Sequence, residues 1–241
     1  MVLFELTLTR IITVYVAQGI LCAFFLFLAY KILKRDTKRL NVIFSMFYIF
    51  PSIGLIVNFI YAPLTDELAV VILNFITNFF IYYALIFLLV FELILLKSEK
   101  IINTTKQLII FIAYGIALLG MVIFYFIPGA GVILNSANNF TPVWNLPFFI
   151  YLVIVVLSFG TIPTLFYAIK ISKKFEDETL KKKWNYFIVG VCALYIFMYG
   201  IYVSNYLNND TFRLIMGVLG LILAIIGGAL IYIGVGRQLE R

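Results

Sequence analysis

The chain has 241 residues, 64% of them hydrophobic and only 12% charged, with a mean hydropathy of +1.11 and a net charge of +7. A soluble domain is about half apolar and about a quarter charged, so this composition argues against a soluble globular fold. Here the basic residues flank long apolar runs, which speaks for membrane topology and not for a nucleic-acid partner.

The opening MVLFELTLTR carries one acid and one base. It lacks a basic n-region and a small-residue cleavage pattern, and LAYKILKR downstream reads as a stop-transfer flank, so the segment is expected to be retained. Seven apolar runs then follow, near 11–32, 41–61, 68–96, 107–127, 147–169, 185–206 and 212–236. Each reaches the roughly 20 residues a bilayer-crossing helix requires. The fold class expected is all-α: a single domain over 1–241, an integral membrane bundle of seven transmembrane helices in contact with the lipid bilayer.

The loops between the runs set the orientation. KILKRDTKRLN carries Lys31, Lys34, Arg35, Lys38 and Arg39, and the next such loop carries Lys97, Lys100 and Lys106. The third carries Lys170, Lys173, Lys174, Lys181, Lys182 and Lys183, and the tail adds Arg237 and Arg241. Of the 18 basic residues only Arg10 and Arg213 fall on the other side. The positive-inside rule therefore places the N-terminus outside and the C-terminus in the cytoplasm of a multi-pass cell-membrane protein. Trp144 and Trp184 fall at opposite predicted interfaces, as an aromatic belt requires. Sequons at Asn139 and Asn209 lie in predicted outer loops, but a third at Asn103 is predicted inside. Lys173, Lys174, Asp177, Glu178, Lys181 and Lys182 are spaced for helical i,i+4 pairs, so spans five and six are expected to project inward as helices. Lys173, Lys174, Lys181, Lys182 and Lys183 are the candidate contacts for a cytoplasmic partner, with a plain topological anchor as the other reading.

Polar residues inside spans are the first candidates for function. Span two carries Pro51, expected to kink it, with Asn58 and Tyr61 on the same face as Gly54. Span three carries Asn74, Thr77 and Asn78. Span six carries Tyr195, Tyr199, Tyr202 and Tyr206 at helical spacing. By depth these faces share the outer half, and their convergence predicts an outward-opening cleft for a small-molecule or lipid ligand. Its candidate residues are Tyr195, Tyr199, Tyr202, Asn74, Thr77, Asn78, Asn58 and Tyr61. The competing reading is hydrogen bonding and packing that merely hold helices together, with Tyr206 an interfacial residue.

Glu92 is the one acid within a span. Snorkelling to the interface or pairing with Lys97 is expected, with a proton relay as the alternative. Arg213 is expected to bind anionic headgroups, with capping the cleft and attracting an anion as the alternative. Gly160 and Pro163 predict a kink or hinge in span five. Gly220, Ala224 and Gly228 recur every four residues in span seven, a packing seam first and a possible homo-oligomer face second.

Histidine is absent, and Cys22 and Cys192 sit inside apolar runs as packing residues. No paired intramembrane aspartates, phosphate loop or zinc spacing occurs, so the expectation is a non-enzymatic protein with no cofactor and no metal. A seventh-span lysine, needed by a retinal opsin, is missing, as are the Asp/Glu-Arg-Tyr and Asn-Pro-x-x-Tyr motifs of animal receptors. The Lys, Asn, Ile and Phe content hints at an AT-rich prokaryotic genome. A faint echo between LAYKILKRDTKRLNVIFSMFYIF and LFYAIKISKKFEDETLKKKWNYFIVG makes a transporter of two parallel three-helix units an alternative. A membrane subunit acting only in complex assembly is another.

The helix count, the N-out topology and the basic loops YKILKRDTKRLN and LKKKWNYFIVG together resemble the seven-helix sensor modules found ahead of histidine kinases in bacteria and archaea. The resemblance covers the whole chain. It implies a sensor that binds a ligand within the membrane and passes a signal to the cytoplasm. Such modules lead into a signalling domain, whereas this sequence ends at GRQLER, so the resemblance implies that the protein signals through a separate cytoplasmic partner or acts alone.

Overall fold

The computed structural model describes residues 10–138 and 140–236. The N-terminal leader reading, the Asn139 sequon, and Arg237 and Arg241 with the GRQLER tail concern residues outside that range, wholly or in part.

Seven helices are long and apolar enough to cross a membrane. They are α1 (Ile11–Arg35), α2 (Arg39–Tyr61), α3 (Glu67–Lys97), α4 (Thr104–Phe126), α5 (Leu146–Ser172), α6 (Glu178–Leu207) and α7 (Asp210–Val235). The seven predicted runs each find their helix, with ends shifted by up to several residues. The largest shift is at α6, which begins at Glu178 because Asp177 caps it, its carboxylate accepting from the Thr179 and Leu180 amides. Residues 173–177 are a turn, so Lys173–Asp177 and Lys174–Glu178 are not helical pairs as expected. The ion pair that forms here is Lys181–Glu178, at 3.3 Å. Capping also accounts for two of the sequons. Asn103 accepts from Lys106 N and Asn209 from Phe212 N, each as an N-cap.

α3 is the axis of the bundle. It packs against α2, α4 and α5, and every residue from Ala84 to Ile94 is buried. A helix apolar on all sides is expected at the centre of its fold. Gly54 lets α2 approach it: a Cβ there would lie 2.9 Å from Thr77 O. α2 continues through Pro51 as one helix. The α6–α7 interface is comparably extensive, and α7 returns to α1. Gly220 lies against Phe197 of α6, and Gly228 lies against Phe24 and Phe25 of α1. The seam of Gly220, Ala224 and Gly228 is therefore filled within one chain. The other helices turn isoleucines outward, as α4 does with Ile109, Ile112, Ile116 and Ile123.

One end of the bundle carries the basic loops; Arg39 Nη2 there donates to Gln107 Oε1 at 2.7 Å, joining the starts of α2 and α4. In the adjoining α1–α2 turn, Lys38 holds the Asp36 carboxyl below the usual carboxylate range by hydrogen bonding and charge. The far end is closed by residues 127–145, where a two-residue antiparallel hairpin, β1 (Val132–Ile133) and β2 (Val143–Trp144), pairs Val132 with Trp144.

Both tryptophans depart from the belt expectation, each being 2% exposed. Trp144 is driven inward by the hairpin against Phe148 and Tyr202. Trp184 stacks on Phe187 and donates Nε1–H to Ala168 O at 2.7 Å, because α5 and α6 close over it. Arg213 also turns to the protein: its Nη2 donates to Pro142 O at 2.6 Å, tying α7 to the cap.

Candidate functional site

The predicted polar faces meet in part. Asn74 Nδ2 donates to Tyr61 Oη at 2.9 Å, linking α3 to the end of α2. Asn78 Nδ2 donates to Asn74 Oδ1 at 3.1 Å, and Tyr125 Oη of α4 donates to the same oxygen at 3.2 Å. Tyr82 Oη donates to Asn78 Oδ1 at 3.4 Å. Asn74, Asn78 and Tyr82 recur every four residues on one face of α3. The same spacing marks Tyr82 in the sequence as a continuation of the asparagine stripe, though it was not singled out. Tyr125 carries no such signal, because only the packing of α4 brings it in. Thr77 is buried beside this network with its hydroxyl unpartnered. Asn58 lies elsewhere, donating to Gln18 Oε1 of α1.

The tyrosine stripe of α6 divides. Tyr202 is fully buried and meets Tyr82 edge to face, with ring centroids 5.0 Å apart. Trp144 packs on its other side at 5.3 Å. The asparagine network and the stripe therefore touch through packed rings, and Tyr202 joins the core. Tyr206 is half-exposed and stacks on Phe149. Tyr195 and Tyr199 turn toward α5. Tyr199 Oη is 2.8 Å from Thr161 Oγ1. Tyr195 Oη lies beside Thr164.

These two tyrosines also form one wall of a groove of about 540 Å³ between α5, α6 and α7. Leu165, Cys192, Ile196, Gly200, Val203 and Phe212 complete it. The groove faces the outside of the bundle, where Ile196 is 60% exposed. Opposite Tyr199, α5 widens into a π-helical turn over Leu157–Thr161. It lies just before Pro163, whose missing N–H interrupts the regular ladder. Gly160 within that turn packs on Leu85 of α3. The hinge expected at Gly160 and Pro163 is thus a local widening beside the groove. The groove walls are apolar side chains and tyrosine rings, with Tyr199 carrying the hydroxyl it pairs to Thr161, an arrangement suited to hydrocarbon with one polar end.

Glu92 is placed differently from its expectation. It is 0% exposed, and neither carboxyl oxygen has a hydrogen-bond partner. It neither snorkels nor pairs with Lys97, because Leu93 and Ile94 beyond it are also buried and α3 stays enclosed for that turn. Both cysteines are free, Cys22 buried and Cys192 on the groove.

No family model, curated protein or solved structure matches the chain.

Proposed function

We propose that the seven helices cross a cell membrane with the basic end in the cytoplasm, and that the protein is a non-enzymatic, receptor-like sensor for a lipidic ligand. The outward isoleucine faces favour hydrocarbon as the surrounding solvent. The basic bias favours the orientation. The observation that carries the ligand reading is the α5–α6–α7 groove, which opens sideways and is lined by Tyr199, whose hydroxyl pairs with Thr161 behind it. An acyl chain entering from the bilayer would fill the apolar part, and its polar end would hydrogen-bond that pair. This replaces the outward-opening cleft as the ligand site: of its eight candidates, Tyr195 and Tyr199 stay in the site. Tyr202, Asn74, Thr77, Asn78 and Tyr61 support it from the core, and Asn58 lies apart.

Signal transmission follows from continuity. α6 runs as one helix from the groove to Lys181, Lys182 and Lys183, and α5 runs from the π-helical turn to Lys173. A ligand wedged between the two helices would shift the cytoplasmic turn that joins them, where these lysines would meet a signalling partner.

A photoactivatable fatty acid in lipid nanodiscs tests this. Its cross-links are expected to concentrate on residues 192–203. Ile196→Trp fills the groove from the exposed side and should reduce labelling about tenfold, the effect of losing about 1.4 kcal/mol of binding. Tyr199→Phe should reduce it about threefold by removing one neutral hydrogen bond. Ile112→Trp, on the outward face of α4, should change nothing. Labelling spread evenly over α4 and α6, or indifferent to Ile196→Trp, would show ordinary lipid contact and end the proposal.

A further inference from the structure

Several buried polar atoms without a hydrogen-bond partner gather on the inner side of the bundle's core, away from the asparagine network. They are both oxygens of Glu92 on α3, with Thr164 Oγ1 on α5 and Tyr195 Oη on α6, the last two near enough to share a hydrogen bond with each other. Glu92 and Tyr195 are electrostatic neighbours, and Thr164 adjoins Tyr195. Three helices thus place buried polar groups in one otherwise apolar layer. Buried polar atoms are almost always satisfied, so a group of them marks a place that binds something small and polar. One turn further along α6, the Tyr199–Thr161 pair continues the line of hydroxyls.

We propose that Glu92 is a proton-binding site, hydrated through Thr164 and Tyr195, whose loading and unloading alters how α3, α5 and α6 pack. The reaction is an acid–base equilibrium: the carboxylate takes a proton from hydronium, forming the carboxylic acid and releasing water. An ionised carboxylate in this layer with no donor at either oxygen is strongly disfavoured. The enclosed conformation therefore holds the acid, and release of the proton requires water or a hydroxyl donor to reach the carboxylate.

The charged and titratable groups around this level are few. α6 contributes Tyr195 and Cys192. α2 contributes Tyr48, whose hydroxyl is engaged with Gly228 O of α7. α4 contributes Tyr114, engaged with Tyr82 O further out. On α5, Thr164 and Ala168 are buried while Lys170 is exposed. Lys97 follows Glu92 on α3 and is exposed, and Arg35 of α1 meets Tyr232 of α7 at the basic end. None of these offers Glu92 a compensating positive charge within the layer, which is why a proton is the cation that fits. The proposal stands independently of any ligand in the groove.

Infrared difference spectroscopy on the full chain in liposomes tests it across roughly pH 4 to 10, a range spanning ordinary and buried carboxyls. The wild type is expected to show a carboxylic C=O band that shifts in deuterated water and is lost at a single midpoint within this range. Glu92→Gln should remove that band. Tyr195→Phe, which removes one potential donor and conserves the ring, should move the midpoint by about one pH unit, or tenfold in proton affinity. The proposal is overturned by a band that never titrates in this range, by one that survives Glu92→Gln, or by a midpoint indifferent to Tyr195→Phe. The Tyr195→Phe measurement keeps the test decisive where Glu92→Gln fails to fold.

Discussion

Valine in place of Gly190 should force α6 and α7 apart and lower the thermal stability of the protein more than any other single change at a helix contact. A Cβ at Gly190 would lie 2.6 Å from Gly227 O and 2.9 Å from Ile231 N. Seen from the other helix, a Cβ at Gly227 would lie 2.8 Å from Gly190 O. Both obstacles are backbone, so no rotamer change relieves them and the helices themselves must move. Overpacking of a well-filled interior costs about 1–3 kcal/mol, and a backbone-to-backbone obstruction belongs at the upper end. Small residues are what allow helices in a membrane to approach this closely, since lipid supplies no hydrophobic drive to hold them. Gly19→Ala is the control. No heavy atom lies within 4 Å of a Cβ there, so the substitution should stabilise α1 by up to about 1 kcal/mol through helix propensity. Thermal unfolding in a mild detergent, followed by circular dichroism, measures both. Equal melting temperatures for wild type and Gly190→Val would mean that α6 and α7 are not in contact at this level.

The second large effect is expected at Asn74. Its amide donates to Tyr61 and its oxygen accepts from both Asn78 and Tyr125, so one side chain joins α2, α3 and α4. Asn74→Leu keeps the branched shape of the side chain and leaves three polar groups short of a partner. Each unsatisfied group costs about 1–3 kcal/mol in a dry interior. Hydrogen bonds between membrane helices measure nearer 0.6 kcal/mol, because the unfolded chain in lipid finds other partners. We expect a loss of about 2 kcal/mol. A double-mutant cycle with Tyr125→Phe separates hydrogen bonding from packing. The two losses should be sub-additive by about 0.5–1 kcal/mol, as for residues in one network. Asn58→Leu, which strands Gln18 alone, should cost less than Asn74→Leu. Strict additivity of the Asn74 and Tyr125 changes would mean that they do not share a bond.

Much of the site was legible one helix at a time. The spacing of Asn74 and Asn78 put them on one face of α3, and that face does carry a buried network. The spacing of Tyr195, Tyr199 and Tyr202 put them on one side of α6, and all three point into or along the bundle. What spacing could not supply was the partner. Tyr202 meets Tyr82 ring to ring, while Tyr199 turns to Thr161, because α6 lies against α3 at one level and α5 at the next. A 100° step between residues spreads even a narrow stripe over two neighbours.

The seven long apolar helices and the basic end they share were legible in the chain alone. Hydrocarbon length and charge clustering are local properties, readable without knowing which helix touches which. The tertiary structure decided everything that depends on rotation about a helix axis. Trp184 faces Ala168 and not the surface; Gly220 closes against α6 and Gly228 against α1. Glu92 is sealed where a snorkelling acid was expected. In a chain that is apolar on nearly every side, hydrophobicity no longer distinguishes inside from outside. Which face a helix buries is then set by close packing of small residues and by the few polar groups that must find one another.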